Sequence, residues 1–214
     1  NHAKYFDANG WLYFTKERFD LLYPSYGDTY PTYNGSIGMT YEQGGIGAGL
    51  GIINEDDDTL PLVDRAQHHF TTSLSTVEIS SLHANKLVKE FRKFFNDAVS
   101  AGMGEHKTFV VKYDARQQER IEKLVELLDK NGIQYTAGNG ATSKGINYIT
   151  GKEETFTASA NDIVVSVLQP RSAMVKVLFE PKSKLSDSAT YDITAWSLPY
   201  VYGLNAFASK DKIA

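Results

Sequence analysis

Thr108-Phe-Val-Val-Lys-Tyr113, then Asp114, an amphipathic run to Lys130, Gly132 and finally Ile133-Gln-Tyr-Thr136 form the stretch from which the fold is read. The first six residues are β-branched or aromatic at most positions and read as a strand. Asp114 can cap a helix, because its carboxylate can accept from free backbone donors of the first turn. Ile121, Leu124, Val125 and Leu128 recur at helical spacing, and Gly132 is a stop. Ile133 to Thr136 reads as a second strand. Strand, helix and strand make a βαβ unit, and the expectation is a parallel sheet.

Downstream, Asp162 to Val167 reads as a further apolar strand. Pro170 starts a short helix carrying Met174, Val177, Leu178 and Phe179. A last helix is expected to carry Ile193, Trp196, Leu198, Val201 and Leu204, kinked at Pro199. Upstream, Ser75-Thr-Val-Glu78 fits a capping box, in which hydroxyl and carboxylate satisfy backbone donors reciprocally. Ile79, Leu82, Leu87, Phe91, Phe94, Phe95 and Ala98 follow, so a long helix is expected from Ser75 to a stop at Gly102. The run from Tyr23 to Pro31 holds two prolines and a glycine and should be largely loop. Ser36 to Glu42 reads as a short buried strand. It is followed by the glycine-rich Gly44 to Gly51 and an acidic turn from Glu55 to Asp58.

The chain has 214 residues, a length that suits one large domain or two small ones. A hydrophobic share of 42% is enough to bury a core. The net charge of −4, with no large basic tract, argues against nucleic acid as a partner, since phosphate binding needs clustered Lys and Arg. There are no cysteines, which excludes disulfides, thiolate-bound zinc and a cysteine nucleophile. No stretch approaches the roughly 18 consecutive apolar residues of a membrane span. The chain begins at Asn1 and is read as a processed or excised piece of something longer.

The most specific chemical feature is Gly35-Ser-Ile-Gly-Met-Thr-Tyr-Glu42-Gln-Gly-Gly45. It places one carboxylate at the end of an apolar strand, with small residues beyond it that leave room for a substrate. On residue chemistry alone, a Glu so placed is more often a solvated or paired strand-end carboxylate. Adjacent His68 and His69 have no third ligand nearby and read as surface or packing residues, on the argument that neighbouring strand residues face opposite ways. Gly44-Gly-Ile-Gly-Ala-Gly49 does not match the dinucleotide or P-loop spacing, and no Lys-Ser or Lys-Thr follows it. Glu153-Glu154 reads as a solvated charge pair.

The run Tyr23-Pro-Ser-Tyr-Gly-Asp-Thr-Tyr-Pro-Thr-Tyr-Asn-Gly-Ser-Ile-Gly-Met-Thr-Tyr-Glu-Gln43 resembles the C-terminal catalytic stretch of bacterial M14 metallocarboxypeptidases. In that family a Tyr-bearing loop precedes a strand that ends in the catalytic Glu. The resemblance carries the general-base role onto Glu42. It offers Tyr23, Tyr26, Tyr30 and Tyr33 for the tyrosine. Tyr26 is favoured because Gly27 would let the loop swing. The Ser75-Thr-Val-Glu-Ile helix, the Asp162-Ile-Val-Val-Ser strand and Tyr191-Asp-Ile-Thr-Ala-Trp-Ser-Leu-Pro199 resemble a subgroup with an added class I glutamine amidotransferase-like domain.

That family binds zinc through two His and one Glu, two of them from a His-x-x-Glu motif. Here the residues three positions after the five histidines are Tyr5, Thr71, Thr72, Lys86 and Phe109. The motif is absent, and Zn2+ is expected only in the full-length protein, with its ligands outside this chain. An added domain without cysteine cannot be a cysteine glutaminase, so a structural or binding role is expected for it.

The expectation is thus an α/β protein. Residues 1–66 form the C-terminal end of a carboxypeptidase-like α/β domain, 67–106 a connecting long helix, and 107–214 a doubly wound, mainly parallel α/β domain, amidotransferase-like or flavodoxin-like. The function implied is that of part of a secreted or periplasmic zinc peptidase. Its partners would be a peptide substrate and the missing N-terminal part of the catalytic domain. The alternative is a non-catalytic α/β accessory module that binds a substrate or partner.

Overall fold

A computed structural model describes residues 1–15, 23–43, 49–53, 57–184 and 196–213. The chain mixes helix and sheet in the order α1 (His2–Asn9), α2 (Thr29–Tyr33), β1 (Gly51–Ile53), β2 (Thr59–Pro61), α3 (Leu62–Leu82), α4 (Ala84–Ser100), β3 (Thr108–Val111), α5 (Gln118–Lys130), β4 (Thr136–Ala137), β5 (Thr142–Asn147), β6 (Glu153–Thr157), β7 (Ile163–Ser166), α6 (Ser172–Phe179), α7 (Leu198–Val201) and β8 (Ala206–Ser209). It divides into two compact units. One comprises Asn1–Phe19 and Met39–Glu90, the other Asp20–Gly38 and Phe91–Ala214, so the division falls inside α4.

In the first unit, β1 and β2 pair antiparallel, and β2 runs directly into α3. Pro61, with an extended backbone, is the N-cap of α3, and Asp64 sits in the first turn, where the helix dipole favours a negative charge. The long helix expected from Ser75 is corrected on two counts. The helix begins at Leu62, and it breaks at His83 before α4 resumes. Ser75 is therefore not a cap. It is fully buried in mid-helix, where its hydroxyl accepts a hydrogen bond from Asn1 Nδ2 at 3.0 Å. The buried stripe of α3 is polar, made of Arg65, His68, Thr72 and Ser75. Val63, Phe70, Leu74 and Val77, on the opposite side of the helix by its 3.6-residue period, are exposed. The expected strand from Ser36 to Glu42 is also corrected. No ladder runs through these residues, and Ile37 and Met39 are exposed. An apolar run needs a neighbouring strand edge to become a strand, and none lies alongside among the described residues.

The second unit holds a six-stranded sheet of order β4-β7-β3-β8-β5-β6. Every neighbouring pair in it is antiparallel. The expected strand–helix–strand is present. Asp114 accepts from the backbone N of Arg116 in a 3₁₀ turn, Ala115–Gln117, that leads into α5. Gly132 closes the helix in the left-handed region at φ 62°. The second strand is Thr136–Ala137 rather than 133–136, and Ile133 is buried in the core. β3 and β4 run in the same direction but are not partners, because β7 lies between them and is antiparallel to both. Likewise β7 and β8 share a direction with β3 between them. Two interleaved split β-α-β units, with the β5–β6 hairpin added beyond β8, make a ferredoxin-like arrangement. The doubly wound, mainly parallel sheet of a flavodoxin-like or amidotransferase-like domain is therefore overturned.

Period-2 alternation sorts the strand residues onto two cores. Phe109, Val111, Val165, Ala206 and Ala208 face Ile121, Leu124 and Leu128 of α5 and Met174, Val175, Leu178 and Phe179 of α6. Val110, Val164 and Phe207 face the other way and pack with Phe156, Ala158 and Ile213. Each Val, Leu, Ile, Phe or Met among them contributes about 1.5–3 kcal/mol on full burial. The C-terminal helix is shorter than expected. α7 covers Leu198–Val201, and Pro199 sits in its first turn, where a missing N–H costs nothing, instead of kinking a longer helix. Ile193 and the rest of Tyr191 to Ala195 lie outside the described residues, as do 44–48 and 54–56 of the glycine-rich and acidic segments. Among the described residues no helix is long and apolar enough to cross a membrane.

Candidate functional site

Glu42 lies in the first unit, in the irregular segment that leads away from Met39. Its neighbours on both sides are tied to α3. The hydroxyl of Tyr41 is 2.9 Å from Thr76 Oγ1 and 2.9 Å from His2 Nε2. Gln43 Oε1 is 3.0 Å from His68 Nδ1. Side chains two apart thus reach the same helix, while the one between them is exposed. This is the alternation that an extended chain imposes. Glu42 has no hydrogen-bond or ion-pair partner among the described residues.

The tautomers follow from counting protons. Thr76 donates its single hydroxyl proton to Thr72 O at 2.8 Å. Tyr41 therefore donates to Thr76, sharing its one proton with Met39 Sδ at 3.2 Å, and accepts from His2 Nε2–H, which leaves His2 Nδ1 as a lone pair. With the Gln43 amide oxygen facing Nδ1, His68 carries its proton there and its Nε2 is the lone pair. Both remaining nitrogens are buried without a partner. Burial pushes the pKa of both imidazoles down. His68 packs against the rings of Phe6 and Trp11, with centroids at 5.2 and 4.5 Å. His69 is exposed on the same helix, so the separation of the two histidines arises from the 100° step of a helix and not from a strand.

A second set of bonds closes α1 onto α3. Asn1 Nδ2 and the Tyr5 hydroxyl donate to Glu78 Oε2 at 2.8 and 2.6 Å. The hydrogen bond from Tyr5, then that from Asn1, holds the Glu78 carboxyl below its ordinary range.

Tyr26 lies in the second unit, as do the other three tyrosines of its loop. Tyr33 packs against the helix-side core, and burial pushes its phenol up. Tyr30 donates to Asn131 Oδ1 at 3.2 Å. Tyr23 stands edge-on to Tyr26 at 5.2 Å and to Trp196 at 6.0 Å. Tyr26 is 36% exposed. Thr29 to Tyr33 is helical, so the expected loop covers only the first part of the run.

Among the described residues no three His, Cys, Asp or Glu side chains come together to hold a metal ion. Sequence reasoning singled out Glu42 and weighed His68, but missed Tyr41, Gln43, His2 and Thr76. A signal was present in the helical spacing of Arg65, His68, Thr72 and Ser75, which marks a polar stripe that something must satisfy. Comparison with family models, curated proteins and solved structures gives no match to this chain.

Proposed function

We propose that the chain is part of a metallocarboxypeptidase of the M14 type, in which Glu42 is the general base. The observation that carries this reading is an exposed carboxylate with no described partner, flanked by two neighbours anchored on α3. Such a group is free to take a proton from an attacking water and pass it to the leaving amine. The resemblance of Tyr23 to Gln43 to the family's catalytic stretch supports the same assignment. On this reading Tyr26 hydrogen-bonds substrate, and the metal is held by residues outside this chain. The substrate is a peptide, and the compartment is periplasmic or extracellular.

The second unit is read as a non-catalytic accessory module. The most buried carboxylate among its described residues, Asp162, is consumed by Lys112 Nζ and the backbone N of Tyr113 and Ser159, so it is not available for chemistry.

The test is peptide hydrolysis by the full-length protein carrying Glu42→Gln. Turnover should fall by at least about 10²-fold, the lower end of general acid–base assistance. Retention of more than about a tenth of kcat would remove Glu42 as the base and withdraw the peptidase reading of this segment.

A further inference from the structure

No sheet ladder runs through residues 36–43. On either side of Glu42, Tyr41 and Gln43 make side-chain bonds. Tyr41 contributes a hydroxyl that sits between Thr76 Oγ1 and His2 Nε2, both at 2.9 Å, and a ring edge-on to His2 at 5.0 Å. Gln43 contributes the bond to His68 Nδ1 at 3.0 Å. The acceptor and donor on α3 are themselves fixed. Thr76 is locked by its bond to Thr72 O, and His68 is wedged between Phe6 and Trp11. The two anchors lie on one side of α3, about 12 Å apart along the helix, so the roughly 7 Å between residues 41 and 43 reaches both only with the length of the two side chains added.

We propose that Tyr41 and Gln43 are the positioning residues of Glu42, acting through Thr76 with His2 and through His68 to fix the direction in which its carboxylate projects. The inference rests on the general-base reading for its consequence in catalysis, but not for its geometry. Fixing the backbone on both sides of a residue leaves only its own side-chain torsions free. A displacement of about 1 Å at a reacting group can cost on the order of 10²-fold in rate. Phe at position 41 keeps the ring and loses the hydroxyl contacts to Thr76, His2 and Met39 Sδ. Leu at position 43 keeps the bulk and loses the acceptor for His68. Glu at position 43 keeps an oxygen facing Nδ1–H.

Two measurements test this. In the 214-residue chain, 15N relaxation should give the Glu42 amide an order parameter near about 0.85 in the native sequence. It should fall below about 0.6 in Tyr41→Phe/Gln43→Leu, and in each single variant if the double variant does not fold, while Gln43→Glu keeps the native value. In the full-length peptidase the double variant should lose about 10²-fold in kcat with KM nearly unchanged, and Gln43→Glu should restore most of the Gln43→Leu loss. A mobile Glu42 amide in the native chain, or one indifferent to these variants, overturns the proposal. So does an unchanged kcat in the double variant where Glu42→Gln abolishes turnover. If Glu42→Gln stays active, the general-base reading fails by itself, and the relaxation data alone then decide whether Tyr41 and Gln43 hold residue 42.

Discussion

The ring centroids of His68 and Trp11 lie 4.5 Å apart, tilted by 47°. An imidazole held against an indole and buried is favoured in its neutral form, and burial is the leading cause of its lowered pKa. Asp64 opposes the shift and His69 adds to it. His2 and His106 are shifted the same way, again first by burial. Above the unfolded value of about 6.5, folded and unfolded chains are both neutral at these sites. As pH falls through 6.5 toward the lower folded values, the unfolded chain binds more protons, so stability is lost. The carboxyls of Glu78, Glu105, Asp114, Glu126 and Glu154 are all held below their ordinary range, so their titration lies below this window. Glu126, for one, is held down to about 2 by Lys130 and Lys123. Urea unfolding at pH 7.5, 6.5 and 5.5 should give decreasing stability, with a shallower slope in His68→Phe. Stability that stays flat or rises toward pH 5.5 would contradict the assignment.

Asp162 should be the most sensitive charged residue of the second unit. Its Oδ1 accepts from Tyr113 N at 2.9 Å, and its Oδ2 accepts from Ser159 N at 2.7 Å and from Lys112 Nζ. Lys112 Nζ also donates to Thr157 O at 2.7 Å, so one ion pair ties β3, the end of β6 and the start of β7. Removing one partner of a buried pair costs roughly 3–5 kcal/mol. Asp162→Ala should therefore be destabilised by that order in denaturant unfolding. Asp162→Asn, which keeps one oxygen and the shape, should lose less. Equal losses would mean that shape and not charge matters there.

Gly138 follows β4 and donates its N–H to Asp162 O at 3.1 Å. A Cβ at this position would lie 2.2 Å from Ser159 O and 2.6 Å from Ala158 O. Both are backbone atoms, so neither can swing aside. Gly138→Ala should cost about 1–3 kcal/mol through the forced backbone shift. Gly151→Ala, where a Cβ meets nothing within 4 Å but φ is 68°, should cost less, about 1 kcal/mol for the left-handed backbone alone. Denaturation midpoints of the two variants, compared at equal m, give the order directly.

On the proposed peptidase reading, Glu42→Gln in the full-length protein should lose more turnover than Tyr26→Phe. A proton acceptor in the transition state is worth about 10²–10⁴-fold. A phenol that only hydrogen-bonds is worth roughly 1–3 kcal/mol, the cost of an unmade bond. Steady-state kinetics of the two variants on one peptide substrate would decide. A larger effect at Tyr26 than at Glu42 would reverse the assigned roles.

Local chemistry alone determined much of the second unit. Asp114, the spacing of Ile121, Leu124 and Leu128, and Gly132 specify a helix with both ends marked, because caps and amphipathic periodicity act over a few residues. The same holds for the Ile163–Ser166 strand and for α6 after Pro170. The pairing of these elements was not legible. β7 inserts between β3 and β4, and β8 pairs on the other side of β3. Those choices depend on which edges and apolar faces meet across distant parts of the chain. A βαβ pattern reads identically whether or not a third strand comes between its two strands. In the first unit, Ser75-Thr-Val-Glu78 carries the signature of a helix start, yet tertiary contacts with Asn1 and Tyr5 use Ser75 and Glu78 inside a helix already begun at Leu62. Glu42 was legible as a carboxylate beside small residues. That it projects to solvent from an unpaired segment, between a tyrosine and a glutamine bound to α3, was decided only by the tertiary structure, because the threonine and histidines that hold those two residues come from 35 and 39 positions away for Tyr41 and 25 for Gln43.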